Sequence, residues 1–284
     1  MNAEGVIDMM GERLRATAPA LMPLEQEVEM EVPQAPEMRE IVGLKFWDID
    51  LDRAARFLVN KAIAGDKVKV YFVNAHCVNV AAHNLSYRNL LERAPFLFAD
   101  GIGLSIAARM FGFTLRNNVN GTDLFPKICE AAAAAGVPIA FLGARCGVAL
   151  KCARLMERKY PGLRVAWVED GFLSGNEEQR RLQALNRSGA GILFVAKGVP
   201  TQEVWIDAHA PRLAPPVVLG VGAMLDFYSG SIRRAPRFVR AMRMEWSWRL
   251  LCEPRRLFRR YVFGIPTFLA RVVCWRLFRS HDRP

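Results

Sequence analysis

The chain has 284 residues, 52% of them hydrophobic and 10% aromatic, and a formal net charge of +11. That much apolar material supports one large α/β domain or two small ones and excludes global disorder. The charge is directed: in the last 54 residues fourteen arginines stand against Glu245, Glu253 and Asp282, whereas the first 230 residues carry 25 basic and 25 acidic side chains, so a neutral body with a cationic end is aimed at phosphates, anionic headgroups or nucleic acid.

In chain order, residues 1–38 are polar, acidic and rich in Met and Pro, without an apolar run of signal-peptide length, and are expected to form a flexible extension. A globular core is expected over residues 39–230. Asp48, Asp50 and Asp52 alternate just ahead of the amphipathic stretch Arg53–Asn60. Capping of that helix by Asp50 or Asp52 is favoured over a metal–diphosphate site, because the run precedes the first strong strand. Lys67–Val73 reads as a buried strand ending at Asn74, followed by a helix over Cys77–Glu92. Phe96–Ala99 is a short strand running into Asp100 and Gly101, then a helix over Leu104–Phe111. Past the Asn-rich loop Asn117–Gly121 come a helix over Leu124–Ala135 and a strand over Val137–Leu142. The turn Gly143–Gly147 and a helix over Val148–Lys159 follow. Strands over Arg164–Val168, Gly191–Ala196 and Val217–Val221 complete the set. This alternation predicts an α/β fold, a Rossmann-like parallel sheet flanked by helices, and residues 231–284 form an Arg-rich, amphipathic helical appendage.

Ligands of such sheets bind beyond the C-terminal strand ends. Asn74, Asp100, Gly143, Gly171, Phe172, the turn before Gln202 and Gly222 are therefore expected to assemble the site. Asp100 is either part of a plain Asp-Gly turn or a partly buried general base. Gly143–Gly147 resembles a phosphate-cradling turn but lacks the full glycine spacing and reads equally as a tight turn. His76, His83, His209 and His281 show no paired ligand spacing, so neither a metal site nor a cofactor is expected. The six cysteines contain no Cys-x-x-Cys pair and read as reduced, buried thiols of a cytoplasmic protein. Arg249, Arg256 and Arg260 lie 7 and 4 residues apart, which on one continuous helix would put them on one face among Trp, Leu and Phe. Such an interfacial helix suits lipid headgroups or a diphosphate, and no nucleic-acid module accompanies it. The longest uncharged apolar run there, Tyr261–Ala270, contains Gly264 and Pro266 and falls short of a bilayer span, so the segment is expected to lie on a membrane.

Taken together, Asn74, Phe98–Gly103, Asn120–Leu124, Phe141–Gly143 with Gly147, Gly198–Trp205, Gly220–Asp226, Arg234–Pro236 and Glu245–Tyr261 resemble the WecG/TagA/CpsF family of bacterial glycosyltransferases, over about residues 40–265. The resemblance implies a metal-independent, inverting transfer from a UDP-sugar to a polyprenyl-diphosphate-linked sugar, by a peripheral protein at the cytoplasmic face of the inner membrane. It implies Asp100 as the catalytic base, with Asn74 and Gln202 beside it and Asp226 near the nucleoside. Asn118, Asn120, Gly143 and Phe172 are the further substrate contacts expected, and Arg249, Arg256, Arg259 and Arg260 would close over the diphosphate. Two positions depart from the family pattern: Phe72 stands for a Thr and Asn118 for an Arg. The Asn-rich loop is more similar to exopolysaccharide members of the GumM kind, which makes UDP-glucose the expected donor and N-acetylmannosamine or its uronic acid the alternative. A non-catalytic polyanion- or membrane-binding module is the alternative outside enzymes. Exposed apolar groups on the tail are compatible with a homo-oligomer.

Overall fold

In the computed structural model, which describes residues 37–116, 119–171, 175–236, 238–239, 242 and 244–279, the first described element is an antiparallel hairpin, β1 (Glu37–Ile41) and β2 (Leu44–Asp48). Its two-residue turn, Val42 and Gly43, has φ of 52° and 79°, the mirror-image turn whose twist matches a hairpin. Ile41, Leu44 and Phe46 are buried, so the hairpin joins the core. Of the expected extension, residues 1–36 lie outside the described residues. Glu37 and Met38 do not belong to it: they pair with Asp48 and Trp47 across the hairpin.

Six strands, β3 (Val68–Val73), β4 (Phe96–Ala99), β5 (Ile139–Gly143), β6 (Val165–Glu169), β7 (Ile192–Ala196) and β8 (Val217–Gly220), form one sheet in the order β4-β3-β8-β7-β5-β6. Every pair in it is parallel, as the α/β pattern requires. Because both faces are covered, the strands are apolar almost throughout and alternate residues feed two cores. Val68, Val70, Phe72, Ile139 and Phe141 face α1 (Leu51–Ala64), α5 (Gly121–Ala134), α6 (Val148–Lys159) and α9 (Met224–Tyr228). Tyr71, Val73, Ala140 and Leu142 face the other core, with α2 (Ala75–Ala81), α3 (Leu85–Glu92), α4 (Ile102–Met110), α7 (Gly175–Arg187) and α8 (Thr201–His209).

Local chemistry sets the helix ends. The expected helix Cys77–Glu92 is two helices, because Asn84 Oδ1 accepts the Tyr87 N–H at 3.0 Å and caps α3 anew. α5 starts ahead of its apolar pattern because Asn120 Oδ1 accepts the Asp123 N–H at 2.8 Å. Inside α5, Pro126 has no N–H for the Thr122 carbonyl, and the Tyr228 hydroxyl donates to that carbonyl instead, at 2.8 Å.

The C-terminal segment contains α10 (Glu245–Cys252), α11 (Pro254–Phe258), a π-helical turn (Arg259–Phe263) and α12 (Gly264–Arg279). Gly264 and Pro266 do not interrupt it. A proline leaves a helical carbonyl without its donor, and the wide π-turn sits just ahead of Pro266. Pro254–Phe278 is thus a helical run of 25 residues, and an 18-residue window within it has mean hydropathy 1.3, so by length and composition alone it is long and apolar enough to cross a bilayer, although the uncharged stretch is as short as the sequence shows. It is, however, packed on the body. Phe268 and Val272 are fully buried where α12 lies against α2 and α4. Asn79 Nδ2 donates to the Gly264 carbonyl at 2.7 Å, Arg271 meets His83, and Arg276 donates to the Met110 carbonyl. The described residues all belong to one compact unit, Pro36–Pro284. Cys77, Cys129 and Cys152 are buried thiols, whereas Cys146, Cys252 and Cys274 are exposed, so the expected burial holds for half of the set.

Candidate functional site

Asn74 and Asp100 follow two strands that run side by side, with Val73 opposite Ala99, so sheet register alone brings the two side chains together. Asn74 Oδ1 caps α2 by accepting the N–H groups of His76 (3.0 Å) and Cys77 (3.3 Å). That leaves its amide nitrogen to donate to Asp100 Oδ2 at 3.4 Å, while Arg260 Nη2 donates to Asn74 Oδ1 at 3.5 Å. Gly103 lets α2, α4 and α12 close up here: a Cβ on it would come within 3.1 Å of the Ala75 Cβ and 3.5 Å of the Phe268 ring. Burial raises the proton affinity of Asp100. The Asn74 hydrogen bond, Arg260 and Arg249 oppose that rise, and Glu245 adds to it. The carboxyl faces a cavity of about 190 Å³ whose other walls include Asn120, Asp123, Trp246, Arg249 and Tyr261. Arg234 ties those walls together, pairing with Asp123 and, at 3.4 Å, with Glu245.

A larger cavity, about 1260 Å³, opens over the ends of β5, β6 and β7, with Arg145, Lys197, Trp205, Asp226 and Arg256 among its walls. Burial raises the proton affinity of Asp226, against the pull of Arg145 and Arg256. Sequence reading did not single out Lys197. Its ammonium sits 5.6 Å from the Trp205 ring centre and donates to the Gly171 carbonyl at 2.9 Å, and burial lowers its pKa. Glu178 accepts the Trp205 indole N–H at 2.8 Å, and His209 stacks on that indole with centroids 4.5 Å apart. A lysine at a strand end beside Gly198 was an available signal. The wall of Glu178, Trp205 and His209 had none, since two helices distant in pattern bring it together.

Several expected contacts sit elsewhere. Gln202 is 2% exposed and lines neither cavity. Its Oε1 accepts the N–H groups of Gly198 (3.2 Å) and Gly222 (2.9 Å), and its Nε2 donates to Glu203 Oε1 at 2.8 Å. It therefore ties the loops after β7 and β8 and does not itself reach either cavity. Gly143 is a close-approach residue, with φ of 127°: a Cβ would lie 2.4 Å from the Ala196 carbonyl oxygen, and Ala144 and Arg145 reach the cavity in its stead. The phosphate-cradle reading of Gly143–Gly147 meets a carboxylate already in place, since the Gly147 N–H donates to Asp170 at 3.2 Å.

Asp48, Asp50 and Asp52 face three ways. Asp48 is buried and accepts the Arg116 N–H at 2.8 Å, Asp50 caps α1 through the Arg53 N–H at 2.7 Å, and Asp52 pairs with Lys127 at 2.9 Å. The capping reading stands for Asp50. Phe72 is core: a Cβ on Gly121 would lie 3.3 Å from its ring. Arg249 and Arg256 do not share a helix face, because α10 ends at Cys252 and Pro254 opens α11. Arg249 lies 5.4 Å from the Phe227 ring centre at the smaller cavity, whereas Arg256 pairs with Glu253 at the larger one. Arg260 joins Arg249, and Arg259 lies in a groove beyond. Asn118 and Phe172 lie outside the described residues.

Residues 39–282 match the model of the glycosyl transferase WecG/TagA/CpsF family. A curated relative from Bacillus spizizenii, an N-acetylglucosaminyldiphosphoundecaprenol N-acetyl-beta-D-mannosaminyltransferase, is 30% identical over 193 residues, covering 68% of this chain and 74% of its own. A protein of the same name from Bacillus subtilis is 28% identical over 203 residues, covering 71% of this chain and 77% of its own.

Proposed function

The chain belongs to the WecG/TagA/CpsF glycosyltransferase family, and from that premise we propose that it transfers N-acetylmannosamine from a UDP donor to an N-acetylglucosamine carried on a polyprenyl diphosphate. The names of both relatives support N-acetylmannosamine over the glucose donor that the Asn-rich loop suggested. The observation that carries the reading is Asp100: a half-buried carboxyl whose proton affinity is raised, held by Asn74 and facing a cavity with two arginines.

In this reaction the acceptor hydroxyl gives its proton to Asp100 as its oxygen bonds to the anomeric carbon. The bond from that carbon to UDP breaks on the opposite face, and the electron pair leaves with the diphosphate. The nucleotide occupies the larger cavity, with Asp226 at the nucleoside and Arg145, Lys197 and Arg256 available to offset the growing charge. The early aspartates are engaged elsewhere, which supports arginines over a metal as the counter-charge. The same reading makes the C-terminal segment the contact with the cytoplasmic membrane surface, since Leu251, Phe258, Phe263 and Leu277 are exposed among its arginines.

The test is a panel of UDP-sugars with a lipid-diphosphate N-acetylglucosamine acceptor, with and without chelator, and the product read by mass. A disaccharide from UDP-N-acetylmannosamine, formed equally in chelator, is expected. Product from UDP-glucose alone would restore the glucose reading, and activity that chelator abolishes and a divalent ion restores would sink the metal-free mechanism.

A further inference from the structure

Glu203, on α8, carries a carboxyl that the reaction above does not use, and the side chain is fully buried. Its Oε1 accepts from Gln202 Nε2 at 2.8 Å. Its Oε2, the Tyr71 hydroxyl on β3 and the Tyr87 hydroxyl on α3 are buried without a hydrogen-bond partner among the described residues. These groups lie within each other's electrostatic reach. Burial pushes both phenols up, Asp207 adds to the rise at Tyr71 and Cys77 to that at Tyr87, and Glu203 adds to both. Burial also pushes Glu203 itself up to about 7, against the Gln202 hydrogen bond. An enclosed carboxyl with one unmet oxygen costs stability that a leucine of similar size would not. A polar group kept in an apolar core at such a cost points to a task other than packing.

The bond to Gln202 shows what that task is. A glutamine amide has two faces of opposite character, and either can be turned to a given neighbour. The Glu203 oxygen accepts from the NH2 face, which leaves Oε1 aimed at the Gly198 N–H (3.2 Å) and the Gly222 N–H (2.9 Å). The end of β8 makes room for this: a Cβ on Gly220 would come within 3.1 Å of Gln202 Nε2. Gly198 directly follows Lys197, and Gly222 stands four residues ahead of Asp226. Both of those side chains line the larger cavity.

We propose that Glu203 is a positioning residue for the sugar donor: by accepting from the Gln202 amide it fixes which way that amide faces, and Gln202 then holds the loops after β7 and β8 so that Lys197 and Asp226 meet the UDP moiety. The assignment rests on the glycosyltransferase reading above.

Glu203→Leu fills the space without an acceptor, whereas Glu203→Gln keeps an oxygen within reach of Gln202 Nε2. In Glu203→Leu the donor KM and the Kd of UDP, read by calorimetry, are expected to rise about tenfold, with the acceptor KM within about twofold of wild type. Amide exchange at Gly198 and Gly222 should quicken by about tenfold, while Leu193 and Val195 inside β7 keep their rates. Glu203→Gln should bring the donor KM, the UDP affinity and both glycine rates back to within about threefold of wild type. Gln202→Met removes the link that Glu203 works through and should repeat the leucine pattern, so it decides the matter if Glu203→Leu does not fold. Unchanged UDP affinity in the leucine or methionine variant would overturn the proposal. So would equal rises in donor and acceptor KM with faster exchange throughout β7, the mark of a core that has merely loosened. A wild type that transfers no sugar would instead sink the reaction, and the UDP titration with the two glycine rates would still decide Glu203.

Discussion

Asp100 owes its character to opposed effects that no single neighbour supplies: burial pushes its proton affinity up, while Asn74, Arg260 and Arg249 restrain it. Asp100→Asn keeps size and hydrogen bonding but cannot take a proton. It should fold as wild type and lose about 10²-fold or more in kcat, and near-normal turnover would remove Asp100 from the base role. Glu203 is a buried carboxyl, fully enclosed beside Gln202 and pushed up to about 7 by burial. A carboxyl that folding makes harder to ionise contributes stability that is whole below its ordinary value of 4.5 and is lost as pH rises through about 7. Glu203→Gln does not titrate, so its melting temperature relative to wild type should improve between pH 5 and pH 8, by the equivalent of about 3 kcal/mol at most. A gap between the two proteins that ignores pH would show that Glu203 is ionised throughout. Residue types gave partial warning here: Asn74 and Asp100 were legible as polar groups at strand ends. Gln202 was legible as important but not as buried, because the glycine N–H groups it satisfies come from two loops that only the sheet brings together.

Among the elements, α12 departs most from its sequence appearance. Gly264 and Pro266 suggested a break, yet the π-turn ahead of them lets the helix continue, and Phe268 and Val272 drop into the core between α2 and α4. Phe268→Ala should therefore cost about 3–5 kcal/mol in urea unfolding, the scale of a buried aromatic lost with a cavity left behind. A loss below about 1 kcal/mol would mean that α12 is only loosely docked in solution. The six strands of the parallel sheet, by contrast, were legible to within two residues, although the hairpin β1–β2 was not. A strand buried on both faces reads as an unbroken apolar run whatever its neighbours are, so Phe96–Ala99 and Val68–Val73 stand out. The split between α2 and α3 was not legible, because Asn84 in an otherwise helical stretch acts as a cap only once the chain turns there.

At the scale of the molecule, the cationic segment is part of the site and of the core together. Deleting residues 231–284 would remove Trp246, Arg249, Arg260 and Tyr261 from the cavity that Asp100 lines and uncover the surfaces that receive Leu257, Phe268 and Val272. The truncated protein should lose at least about 10²-fold in transfer to a lipid acceptor, and it should melt at lower temperature with a tendency to aggregate. A truncated protein as active and as stable as the whole would reduce the segment to an anchor. The sequence by itself determined the parallel α/β sheet, the strand-end location of Asn74 and Asp100, an aspartate cap from Asp50 or Asp52 and the cationic end, because apolar period, turn chemistry and net charge are local properties of a chain. Only the tertiary structure decided that Arg249, Arg256, Arg259 and Arg260 go to different spaces, that Gln202 braces two loops, and that Lys197, Trp205 and Glu178 wall one cavity. Those outcomes depend on where Pro254 and the π-turn redirect the backbone and on which strands lie adjacent, and separation along the chain carries no record of either.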